Sequence, residues 1–191
     1  MNLLESFALG VALGFSLAGP PGPMNALIAA QSARAFRSGV VTGLGAMTSD
    51  AILGTLVFTL SRVVDLSAYL RPIDAVGAGM LVFLAVRTLR DRGVTGVRGT
   101  GDVRTFSQGV GIGLTNPFQV AWWLTAGLAF AGLGGPLLFV GLFGAIAVWV
   151  VAFPYAVHAG TQRYPAARVG ITYVSVGILF AFAAYFAYLA V

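Results

Sequence analysis

Asp50 is the residue in this chain best placed to do chemistry. It lies midway along an apolar run from about Val40 to Leu60 that carries no other charge. A charge at the centre of a bilayer costs at least ~2.5 kcal/mol on insertion scales, and such residues face the bundle interior and mark substrate or proton paths. Two functional roles are open to it: salt partner for a substrate amine, or proton carrier. A structural role is the third, with the acid bonded to the Thr48 or Ser49 hydroxyl or to another helix. A second group of residues sits in "GFSLAGPPGPMNALIAAQS", residues 14–32, where Pro20, Pro21 and Pro23 interrupt an apolar run. Proline inside a helix removes a hydrogen bond and clashes with the preceding turn, at ~3 kcal/mol or more. In lipid each stranded backbone group costs several kcal/mol more, so a break persists only where protein buries it or a cavity solvates it. The half-helix opening at Pro23-Met24-Asn25 would present unpaired N–H groups and a partial positive charge near +0.5, a natural partner for a carboxylate. A third candidate is Asn116-Pro117, either a plain helix cap or a second substrate contact.

These residues need elements to hold them, and the composition says which. Of the 191 residues 58% are hydrophobic and 9% charged, against about 25% charged in soluble domains. Long apolar blocks with few charges read as membrane spans. Six can be traced, at about Leu3–Ala33, Val40–Leu60, Ala75–Leu89, Phe106–Ala131, Pro136–Val157 and Val169–Ala190. The first segment "MNLLES" has no basic residue, unlike a secretory signal, so the first block is expected to remain in the mature protein. Arginine accumulates in cytoplasmic loops. Arg34, Arg37, Arg87, Arg90, Arg92, Arg98, Arg104, Arg163 and Arg168 fall on one side of the six-span arrangement, and only Arg62 and Arg71 on the other. Both termini are therefore expected outside.

The glycine- and charge-rich connection from Asp91 to Ser107 divides the chain into halves of three spans, which must then have opposite orientation. The halves share a pattern. Phe7, Gly10, Val11 and Gly14 align with Phe106, Gly109, Val110 and Gly113, and Ser16 and Thr115 each precede a proline break. Interrupted spans at matching positions of inverted halves mark a transporter's binding site. The expected fold is an all-α integral membrane protein. Its six transmembrane helices form two inverted three-helix repeats, with proline-broken first and fourth helices. It is one domain over 1–191, with repeat one at about 3–90, a cytoplasmic loop at about 91–105 and repeat two at about 106–191.

The Pro21-Gly22-Pro23 signature, the glycine-spaced "GVVTGLGAMTSDAILG" with Asp50, and Asn116-Pro117, in this order along a chain of this length, resemble the LysE/RhtB family of amino-acid exporters. The resemblance implies a secondary transporter that moves amino acids or similar small metabolites out of the cytoplasm, driven by the proton gradient and needing no cofactor. Read from the residues themselves, the expected substrate contacts are Pro21, Gly22, Pro23, Met24, Asn25, Asp50, Asn116 and Pro117, with Asp50 also the candidate for proton coupling. The chain is slightly shorter than expected for the family and has no lysine; neither departure touches the motifs.

Other residues are weaker candidates. Gln31 and Gln108 could line the inner mouth but are expected at headgroups, and His158 could gate proton entry but is expected as a plain interfacial histidine on the cytoplasmic side. Of Trp122 and Trp123, one would wall the cavity and the other face lipid. Tyr155 and Tyr173 read as interface anchors or core. The chain has no cysteine, which removes thiol catalysis, thiolate metal sites and a membrane redox enzyme. No catalytic trio, metal-ligand cluster, phosphate-cradling loop or nucleic-acid surface is legible. The alternatives within reach are a divalent-cation exporter of related fold, against which stands the scarcity of intramembrane acids and histidines, and a non-transporting scaffold, against which stands Asp50. Glycine-rich helix faces permit a homodimer without requiring one. The expected surroundings are the cytoplasmic membrane, its lipid, protons and a zwitterionic small molecule.

Overall fold

The computed structural model describes residues 2–60, 75, 78–79, 81–83, 85–86, 89 and 102–190. Most of the expected cytoplasmic loop, the connection holding Arg62 and Arg71, and parts of the third block lie outside the described residues. Within them the chain is all helical. The elements are α1 (Leu3–Ala18), α2 (Pro23–Arg34), α3 (Phe36–Leu60), α4 (Asp102–Thr115), α5 (Pro117–Trp122), a π-helical stretch (Trp123–Gly127), α6 (Leu128–Arg163) and α7 (Pro165–Ala190).

Each start and stop has a local cause. Asn2 caps α1 in a reciprocal pair with Glu5, at 2.8 Å in both directions, which satisfies two orphan N–H groups at once. The expected first span is two helices: α1 and α2 meet at 77° across residues 19–22. Pro23 occupies the first turn of α2, where its missing N–H and fixed φ are harmless. The single residue Ala35, in extended conformation, joins α2 to α3. The second break follows the same rule, with Asn116 extended at the cap and Pro117 opening α5. Gly135, at φ 58°, is the turn that separates the expected fourth and fifth blocks, although helical hydrogen bonding runs up to it from both sides. That φ favours glycine. Helix α4 begins at Asp102, inside the expected loop, and Arg37 at the start of α3 pairs with that acid.

Among the described residues two helices, Phe36–Thr59 and Gly135–Arg163, are long and apolar enough to cross a membrane, and the bent pair α1–α2 makes a third if counted as one span. Packing is organised by close backbone approach. Gly10 faces the Leu138 carbonyl and the Leu142 amide of α6, and Gly14 the Leu142 carbonyl and Ala145, so α1 and α6 run in the same direction. Gly109 faces the Thr42 carbonyl and the Ala46 amide of α3, and Gly113 faces Ser49, so α4 and α3 also run in parallel. A methyl at Gly10 or Gly109 would overlap backbone. Small residues at helix contacts are the means of association where lipid competes for every apolar face. Leu13, Leu17, Leu53, Val57, Val120, Trp122, Trp123, Leu142 and Ile146 fill the core between these pairs. Large side chains such as Leu44, Val148, Val174 and Tyr188 point outward.

A candidate binding cavity at the helix breaks

The breaks create carbonyls that need partners, and Asn25 supplies them for the first. From the first turn of α2 its Nδ2 donates to the Ala18 carbonyl at 2.6 Å and the Pro20 carbonyl at 2.9 Å. Its side-chain donors are thus engaged in closing the end of α1 rather than free for a ligand. Its Oδ1 accepts from Trp149 Nε1 at 3.1 Å. At the second break Asn116 caps α5, its Oδ1 accepting from the Phe118 N–H at 3.2 Å. Its Nδ2 donates to Gln119 Oε1 at 3.1 Å, and Gln119 Nε2 donates to Asp50 Oδ1 at 2.9 Å. A second donor, Trp123 Nε1, reaches the same Oδ1 at 3.1 Å. The cap of one broken helix is thereby wired to the acid of another helix through one amide.

Asp50 is 4% exposed, and both of these bonds fall on one oxygen. No sealed side-chain oxygen or nitrogen among the described residues lacks a partner, so Oδ2 is not sealed; it opens onto a cavity. The Thr48 and Ser49 hydroxyls do not hold Asp50. They bond carbonyls of their own helix, at Leu44 and Ala46.

Pro21, Gly22, Pro23, Met24, Asn25, Asp50 and Asn116 all line this one cavity, so residues separated by up to 95 positions in sequence meet at a single place. Pro117, of the candidate residues, does not line it; it is buried at the start of α5. The enclosed space is small, about 70 Å³, and widens to about 610 Å³ when its open mouth is included. Its other walls are apolar, with Leu17, Ile146, Val150 and Phe182, and its polar groups are few. The two helix starts differ. α5 is capped by Asn116, whereas no side chain caps α2 at Gly22. The Ala26 N–H bonds the Gly22 carbonyl, and the residues ahead of it, Met24 and Asn25, lie on the cavity wall.

Several expectations change. Neither Trp122 nor Trp123 faces lipid. Both are buried and stand edge to face at 5.2 Å, and Trp122 Nε1 donates to Ser16 Oγ at 3.2 Å, tying the two broken segments together. The π-helical stretch starting at Trp123 widens the helix at this point, a distortion frequent at functional sites. Gln31 and Gln108 do not reach for headgroups: Gln108 is buried, and Gln31 Nε2 donates to its Oε1 at 3.5 Å. His158 is part-buried, with Nδ1 3.0 Å from the Ser32 carbonyl. Tyr155 and Tyr173 are exposed. Gln119 and Trp149 were not legible as site residues, yet signals existed. Gln119 stands two residues after Pro117 as Asn25 does after Pro23, and three after its cap, the spacing of a capping box. Trp149, like Trp123, lies far from the interfacial depth that tryptophan prefers.

These features define a helical protein with apolar helices of membrane-crossing length, in which two broken segments and one buried acid converge on one cavity. The family to which the chain belongs is that of the LysE type translocators, which match it over residues 15–190. The chain is also similar to a protein of Bacillus subtilis (strain 168), "Putative amino acid efflux protein YcgF", at 31% identity over 134 residues. That match covers 65% of this chain and 61% of the relative's length. No solved structure matches the chain.

Proposed function

We propose that this protein is a secondary transporter that exports amino acids or similar small zwitterionic metabolites across the cytoplasmic membrane, coupled to protons. The observation that carries the reading is the cavity that brings the uncapped start of α2 and the open oxygen of Asp50 together in a chain of the LysE type translocator family. The helix start suits a carboxylate. The carboxylate of Asp50 suits an ammonium group, or a proton when the ammonium has left. With Oδ1 already occupied by Gln119 and Trp123, the acid offers a single oxygen, so ammonium and proton compete for the same place. Competition of that kind exchanges one for the other, as an antiporter requires.

The architecture that goes with this reading is six spans in two inverted repeats with both termini outside. The matched contacts of Gly10 on α6 and Gly109 on α3, with parallel packing in both pairs, support it. So do the two proline-opened half-helices.

Amino-acid efflux from preloaded proteoliposomes under an imposed pH gradient tests the function. Wild-type protein should release one or a few amino acids. Asp50→Asn should keep the fold and its Oδ1 bonds but lose gradient-driven efflux by about a hundredfold or more, as expected when a group that carries the coupling charge is neutralised. Gradient-driven efflux undiminished in the variant removes Asp50 from the path. No efflux of any amino acid by the folded wild-type protein overturns the substrate class.

A further inference from the structure

A second cavity lies on the far side of the first break. It is walled by Ala26, Ala29, Phe153, Ile171, Val174 and Ile178, with Ser175 at its edge, and spans about 890 Å³ with its mouth. Pro21, Gly22, Asn25 and Trp149 line both cavities. The wall between the two spaces is therefore the break itself together with one indole ring. That ring is fixed on two sides. Its Nε1 donates to Asn25 Oδ1 at 3.1 Å, and its face stacks on Phe153 with centroids 5.2 Å apart and planes 8° from parallel. Asn25 is held in turn by the Ala18 and Pro20 carbonyls. The partition is thus built onto the chain ends that the break exposes.

We infer that Trp149 sets the upper size of the substrate's side chain, and that removing its ring opens the second cavity to longer apolar side chains. The inference rests on the reading of the first cavity as a zwitterion site. A zwitterion whose charged groups engage Asp50 and the start of α2 has only apolar walls left for its side chain: Leu17, Ile146, Val150, Phe182 and the Trp149 ring. Of these, Trp149 also lines the second, apolar cavity. The occupant of that space in the variant is the substrate's own chain, because the shared residues make the two cavities continuous once the ring is gone.

The test is a binding titration of purified protein with glycine, alanine, norvaline, norleucine and 2-aminooctanoate, comparing wild type with Trp149→Ala and Trp149→Leu. In wild type, affinity should fall beyond a certain chain length. In Trp149→Ala that limit should move to longer chains, with the affinity ratio of the longest to the shortest binding member rising at least about tenfold, the yield of about two additional buried methylenes. Trp149→Leu should give a smaller shift in the same direction, and carries the comparison if the alanine variant does not fold. An unchanged length profile in the folded variants overturns the inference, and means that the second space serves lipid chains or packing. An equal loss across the whole series also overturns it, making Trp149 a general support of the site. If wild type binds no amino acid in the series, the zwitterion reading fails first, and separately.

Discussion

Asp50 has its geometry set by a residue that carries no charge. Gln119 accepts from Asn116 and donates to Asp50, so its amide can adopt only one orientation without setting donor against donor or acceptor against acceptor. Leucine at this position would leave Asn116 Nδ2 without its acceptor and Asp50 with Trp123 alone. An orphaned buried polar group costs about 1–3 kcal/mol. Gln119→Leu should therefore lower apparent substrate affinity by about tenfold or more, measured by the same binding titration on folded protein. Asn116→Ser keeps a capping oxygen for α5 but withdraws the amide that orients Gln119. The two substitutions act on one chain of bonds, so their combined effect should be clearly less than the product of the single effects. Independent, multiplying effects would show that Asn116 and Gln119 serve separate purposes.

At the scale of elements, some features were legible in the sequence and others were not. The prolines announced both breaks because a missing N–H acts locally, whatever surrounds it. Asp50 announced itself by the cost of its charge in an apolar run. Its partners did not, because Gln119 and Trp123 reach it across helices, and hydrogen bonds between helices leave no spacing in either one. Trp122 and Trp123 could not be assigned a face from helical period alone, since the π-helical stretch at Trp123 changes the period there. Glycine shows the same division: many glycines lie in these helices, but only packing tells which are required. Gly109→Ala and Gly10→Ala each place a methyl against backbone of the neighbouring helix, and Gly144→Ala meets nothing. The first two should destabilise by about 1–3 kcal/mol, the usual effect of overpacking. The third should be neutral or stabilising by up to about 1 kcal/mol, through helix propensity. Thermal unfolding in detergent separates the groups, and equal midpoints for all three would show that the close contacts are not maintained.

For the whole molecule, the two halves do the same structural work and different chemical work. Each opens a half-helix with a proline and follows it two residues later with an amide, Asn25 or Gln119. Asn25 ends on backbone carbonyls and Trp149, and Gln119 ends on Asp50. At the position of α6 that packs as Asp50 does in α3 stands Ile146, an apolar wall of the same cavity. A site with an acid on one of these matched helices and an apolar wall on the other has a direction, which a symmetric bundle would lack. That direction is meaningful only if the halves are inverted in the membrane, and the absence of cysteine makes this simple to check. The chain needs no background substitutions before single cysteines are introduced at Ser107 and Pro136, both exposed. With six spans and external termini, a membrane-impermeant maleimide should label Pro136→Cys in intact cells and Ser107→Cys only after permeabilisation. The reverse pattern would invert the orientation and turn the arginine-rich face outward, and labelling of both from one side would break the inverted repeat itself.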